Sequence, residues 1–114
     1  KEQKTDNPSI LGKWMLDRTV EEDYHPVNTL IDREEITGKA GDSIVFKADM
    51  TAISYEDDGS VEETDYLFLN DSTLMIEFEV FKIRKLTDKE LYLHEEEIVQ
   101  SANEKWVYQI HLKR

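Results

Sequence analysis

The chain has 114 residues, no cysteine, and twenty-six acidic against fourteen basic side chains, a formal net charge of −12. That length suits one domain, able to bury roughly two-thirds of its unfolded surface without a disulfide or structural metal. The missing cysteine excludes thiol nucleophiles, Cys-type zinc sites and disulfide scaffolds. The acid excess disfavours nucleic acid, whose phosphates are bound by Lys and Arg releasing counterions, and anionic membrane surfaces; it reads as a solubilising coat.

Residues 1–9 are polar and contain Pro8. They read as a disordered tether ahead of a single domain over 10–114, and a chain opening on Lys1 reads as a processed or trimmed product. No apolar run approaches the roughly 18 residues of a helical membrane span. Leu11–Val20 is the first strand. Period-two spacing sets Trp14, Leu16, Arg18 and Val20 on one face and Lys13, Asp17 and Thr19 on the other. An arginine on the Trp14 face argues for a mostly filled interior.

Glu21–Gly41 is the least regular stretch, with Pro26, the acidic run Glu21, Glu22 and Asp23, and Gly38 and Gly41. Within it Asn28 is placed to cap a short helix reaching about Ile36, with Leu30, Ile31 and Ile36 on one side and Gly38 near its end. A structureless loop of some twenty residues would be unusual in a compact domain.

Strand follows strand from Asp42. Ser43–Lys47 and Thr51–Glu56 come first, then the hairpin signal Asp57-Asp58-Gly59-Ser60. Val61–Leu69 follows, then the polar turn Asn70-Asp71-Ser72. Thr73–Leu86 is longer than a typical strand of about five or six residues. Its apolar alternation changes phase near Glu79 and Val80, from Leu74, Ile76 and Phe78 to Phe81 and Ile83, which favours two strands over one bent one. Glu90–Val99 and Lys105–Lys113 complete the set, the last alternating Trp106, Tyr108, Ile110 and Leu112 with Val107, Gln109 and His111. The whole predicts an all-β fold: an antiparallel up-and-down barrel of about eight strands with one short helix between the first two. Closure removes the exposed edges of a flat sheet.

Leu11-Gly12-Lys13-Trp14 on the first strand resembles the Gly-x-Trp signature of lipocalins. Ile44–Phe46 before a short turn, Tyr66 ahead of Asn70-Asp71-Ser72-Thr73-Leu74, and the phrase Ile83-Arg84-Lys85-Leu86-Thr87-Asp88-Lys89-Glu90-Leu91-Tyr92-Leu93 add to it. From Ile10 to Arg114 the chain is similar to the lipocalin-like domains of secreted lipoproteins from Bacteroidetes-type bacteria. The resemblance implies a structural signature of Gly12, Trp14 and a terminal cation, Lys113 or Arg114, stacked on Trp14 at the closed end. It also implies a secreted or cell-envelope location, periplasmic or outer-membrane, in a Gram-negative bacterium. Membrane contact would run only through a lipid anchor outside this chain.

No catalytic constellation stands out. His25, His94 and His111 lack metal-ligand spacing, and Asp57-Asp58-Gly59 does not continue as a calcium loop. There is no nucleophile elbow and no phosphate-binding glycine pattern. The expectation is a non-enzymatic binding module, monomeric and without metal or cofactor. Phe46, Tyr66, Phe68, Phe78, Phe81, Trp106 and Tyr108 can line one interior, either as ordinary core or around a small hydrophobic or amphipathic ligand at the barrel mouth. The alternative is a filled barrel that binds a macromolecule, as an interaction or inhibitor protein, through its exterior and loops. Leu67, Leu69 and Met75, apolar on the second face of their strands, are the candidate patch.

Overall fold

A computed structural model describes residues 9–114; of the tether expected over 1–9, all but Ser9 lies outside the described residues. Nine strands run in chain order: β1 (Gly12–Tyr24), β2 (Leu30–Thr37), β3 (Ser43–Phe46), β4 (Thr51–Tyr55), β5 (Val61–Asn70), β6 (Thr73–Ile76), β7 (Glu79–Leu86), β8 (Glu90–Val99) and β9 (Glu104–Lys113). Every pairing is antiparallel. β1 and β3 through β9 pair in sequence, and β9 returns to β1, closing an eight-stranded barrel. β2 is the extra strand. It pairs with the second half of β1, beyond the residues that pair with β3, so β2, β1, β9 and β8 form a four-stranded ribbon rising from one end of the barrel.

Two expectations from the sequence are corrected here. Asn28–Ile36 is not a helix: Asn28 and Thr29 end a turn, and the rest belongs to β2. The β-branched Ile31, Ile36 and Thr37 favour extended backbone, and the backbone pairs with β1 instead of with itself. The acidic run Glu21–Asp23 is likewise no loop, because β1 continues through it to Tyr24.

The third correction concerns Arg18. The ladder between β1 and β9 steps from Leu16↔Leu112 to Arg18↔His111. Asp17 is thus an extra residue, a bulge, and a bulge reverses which residues face inward. Thr19 takes the interior side opposite Ile110, Arg18 turns to the other face, and Val20 on that face is still buried, apart from the core cluster. The long segment Thr73–Leu86 does split in two, at Glu77-Phe78 instead of Glu79-Val80, with Glu77 at φ +58° in the turn.

Trp14, Phe46, Ala52, Tyr66, Leu74, Phe81, Leu91, Leu93 and Leu112 fill the interior, with Ile10 tucked beneath. Small residues sit opposite large ones, as Ala52 opposite Phe46, which lets the layers interlock. Ile10 and Trp14 seal one end. The indole N–H of Trp14 donates to the Ile10 carbonyl at 2.8 Å, and the Arg114 guanidinium lies 3.8 Å over the Trp14 ring. That guanidinium also donates to the carbonyls of Ser9 (2.7 Å), Leu11 (2.8 Å) and Asp88 (2.9 Å), tying both ends of the described chain to the β7–β8 turn. Gly12, at φ +111°, lets the chain turn under that arginine in a conformation L side chains avoid. Of the two cations expected over Trp14, the structure uses Arg114.

Candidate functional site

The opposite end of the barrel is open. A cavity of about 290 Å³ enters there, with Leu16, Ile44, Phe46, Ile76, Leu93, Ile110 and Leu112 as apolar wall and Thr19, Ser54, Tyr55 and Tyr108 nearer the rim. The rim is held by a clasp between two turns. Asp42 accepts from the backbone N–H groups of Lys39 and Asp57, each at 2.9 Å. Those same bonds hold its carboxyl below the usual carboxylate range. Gly38 serves close approach: a Cβ there would lie 2.1 Å from the Leu16 carbonyl oxygen, and its N–H donates to the Asp17 carbonyl at 2.8 Å.

Strand register stacks the inner face of the ribbon above this cavity in rows. The lowest row is Leu16–Leu112–Leu91, and the next is Ile36–Thr19–Ile110–Leu93. Above them the chemistry changes within one step of the alternation. The third row is Glu34–Glu21–Tyr108–Glu95, and the fourth Asp32–Asp23–Trp106–Glu97. Glu79, opposite Ile76 at the start of β7, brings a further carboxylate to Glu95, and a hollow there is lined by Glu21, Glu79, Glu95, Trp106 and Tyr108. Two aromatic rings thus stand in a field of acids directly over an apolar well.

The electrostatics follow from that crowding. The Glu95 carboxyl is pushed up to about 7, by burial first, then by the charge and hydrogen bond of Glu79, then by Glu97. The Tyr108 phenol is raised by burial and by Glu21, Glu79 and Glu95. Trp106 donates its indole N–H to Glu97 at 2.8 Å. Among the described residues no cation pairs with Glu21, Glu79 or Glu95.

A pH dependence of stability results. A carboxyl raised above its unfolded value of about 4.5 keeps its proton in the folded state while the unfolded chain loses it. The Glu95 contribution to stability therefore falls as pH rises from about 4.5 to 7 and is flat above. Glu95→Gln should be near neutral at pH 4 and stabilising at pH 8. Discounted for solvent screening, the gain is on the order of 1 kcal/mol, about 4 °C in Tm. Thermal melts of both proteins across that range check it; equal gains at both ends would refute the assignment.

The aromatic residues selected from the sequence are divided by the structure. Tyr108 stands at the mouth and Trp106 above it. Phe46 is buried in the wall of the well, edge-on to Tyr66 with ring centroids 5.0 Å apart. Phe81 is buried core. Tyr66 is also buried and donates its hydroxyl to the Lys47 carbonyl at 2.7 Å, toward the sealed end. Phe68 joins Tyr66 in a wider hollow of about 910 Å³ at that end, bordered by Ser9, Ile10 and Leu11. Phe78, expected inside, is 92% exposed at the β6–β7 turn, because the strand break falls on it. The expected patch is present in part. Leu67 pairs with Met75, and Met75 with Val80. Leu67, Val80 and the neighbouring Leu69 are exposed.

His94 and His111 lie on the outer face, linked through Gln109 at 3.5 and 3.2 Å. Among the described residues no three His, Asp or Glu side chains converge as metal ligands. The acid rows are the feature sequence reasoning missed. Their signal was present as period-two acids, Glu21 and Asp23, Asp32 and Glu34, Glu95 and Glu97, facing Trp106 and Tyr108 at the same period. In comparisons with known proteins, no family model, curated protein or solved structure matches this chain.

Proposed function

We propose that this chain is a non-enzymatic binding module whose barrel mouth holds a small hydrophobic or amphipathic ligand. The supporting observation is the asymmetry of the barrel. Ile10, Trp14 and Arg114 pack over the core at one end, where a wider hollow borders Tyr66 and Phe68, while at the other end core side chains line an apolar well of about 290 Å³, near the lower limit of small-molecule pockets of roughly 300–1,000 Å³. The resemblance to lipocalin-like domains of secreted lipoproteins agrees with this reading and adds a cell-envelope setting. The neutral fluorophore N-phenyl-1-naphthylamine should bind saturably at one site. Ile110→Trp, which fills the well, should weaken that binding about tenfold or more, since it removes most of the apolar contact. Unsaturable binding, or binding that ignores the plug, would sink the idea.

A second reading has one observation of its own. The Leu67–Met75–Val80 ladder is an apolar row on the outside of the barrel, and such a row suits a macromolecular partner. A photo-crosslinker placed at Leu67 in the producing cell separates the two. A discrete protein adduct supports the second reading; its absence, with fluorophore binding intact, leaves the first.

A further inference from the structure

We propose that the ligand of the barrel mouth is a small amphipathic amine, its apolar body in the well and its positive head among Trp106, Tyr108 and the carboxylates of Glu21, Glu79 and Glu95. This rests on the ligand-holding reading and adds the charge of the occupant.

Zoning along the strands carries the argument first. Ile110 and Leu93 belong to the apolar well, and Tyr108 and Glu95, two residues on, to the acid row. Two strand residues span about 7 Å. A molecule whose apolar part touches Ile110 therefore places its other end level with Tyr108 and Glu95. Tyr108 lines both the well and the acidic hollow, so the two spaces meet at its side chain.

Charge complementarity follows from a contrast between the two faces of one hairpin. On the outer face of β1 and β2, Glu22 meets Arg33 at 3.3 Å. On the inner face, Glu21 stands opposite Glu34 and Asp23 opposite Asp32. Like charges directly opposite destabilise strand pairing. The inner face thus carries a penalty the outer face avoids, and a cation would relieve it. Tyr and Trp faces attract cations, most strongly where water is excluded. The raised Glu95 carboxyl is consistent with this, since a cation arriving there replaces the proton that burial and Glu79 retain. The size of the well selects a small amine over a basic peptide, whose backbone could not enter it.

Hexyltrimethylammonium, 1-hexanol and hexanoate, titrated separately into the isotopically labelled chain and followed by NMR, test the proposal. The ammonium should bind about tenfold or more tightly than 1-hexanol, and hexanoate more weakly than either. The preference should shrink as salt screens the acids. Ile44 and Ile110 methyl signals should shift together with the Trp106 indole signal. Glu21→Gln combined with Glu95→Gln should cut ammonium affinity about tenfold and narrow its margin over 1-hexanol. These replacements are near-isosteric and relieve repulsion; should the variant nevertheless fail to fold, the wild-type probe and salt series decides alone. Equal binding of ammonium and 1-hexanol would refute the amine while leaving the ligand-holding reading intact. No binding of 1-hexanol or of the naphthylamine would remove that reading itself. Oligolysine binding more tightly than the ammonium, with no shift at Ile44 or Ile110, would refute the amine in favour of a basic polypeptide on the ribbon.

Discussion

Replacing Trp14 with alanine should cost about 3–5 kcal/mol, the range for truncating a large buried aromatic, out of the roughly 5–15 kcal/mol that holds a domain together. Trp14 is fully buried, and three kinds of interaction end with it. Its ring lies in the core cluster with Ile10, Phe46 and Leu112. Its indole N–H satisfies the Ile10 carbonyl, and an acceptor left without a donor in a buried setting is itself costly. Its face carries Arg114, whose contacts with Ser9, Leu11 and Asp88 would lose the platform that orders them. Urea denaturation should show a large drop in midpoint. Trp14→Phe, which keeps a ring but not the N–H, should lose less. Equal losses for the two would mean that the hydrogen bond and the outer ring area contribute nothing.

Phe46→Ala should be of similar size, again about 3–5 kcal/mol, with a second consequence that Trp14→Ala lacks. Phe46 is 1% exposed and meets Tyr66 edge-on, but it also belongs to the wall of the open well. Removing the ring deepens the well from its closed side. The variant should therefore be less stable than wild type yet bind longer apolar probes relatively better, so that stability and chain-length preference move in opposite directions. A variant that loses stability and binds all probes proportionately less would place Phe46 in the core alone. Denaturation midpoints beside a homologous alcohol series supply both readings.

Much of the barrel was legible in the sequence because strand alternation is a local property. Trp106, Tyr108, Ile110 and Leu112 at period two define an inward face wherever β9 is placed. Asp-Gly at 58–59 marks its hairpin for the same reason, Gly59 adopting φ +94°. The errors fell where a local pattern met a non-local constraint. Ile31 and Ile36 fit a helix face as well as a strand, and only pairing with β1 decides between them. The Asp17 bulge leaves no trace in the alternation of β1 alone. It is visible only against β9, where two steps of one strand match one step of the other, and it moves Arg18 out of the interior and Thr19 in.

The candidate site was less legible. Tyr108 and Trp106 were named for their ring chemistry, but their setting was not, because the acids that surround them come from β1, β2, β7 and β8. The acidic runs alone read as a solvated coat, and on the outer face of the ribbon Glu22 and Glu35 do pair with Arg33.

Composition and alternation by themselves determined an acidic, cysteine-free chain that must fold as antiparallel strands, with an aromatic inward face and a Gly12-x-Trp14 start. Those are properties of neighbours in the chain, set by side-chain period and turn chemistry. The tertiary structure alone decided that β1 runs on past the barrel and gathers β2, β8 and β9 into a ribbon, that Arg114 meets Trp14, and that a row of carboxylates stands over an apolar well. Each of these depends on register between strands far apart in sequence, and register is set by burying one face of every strand at once.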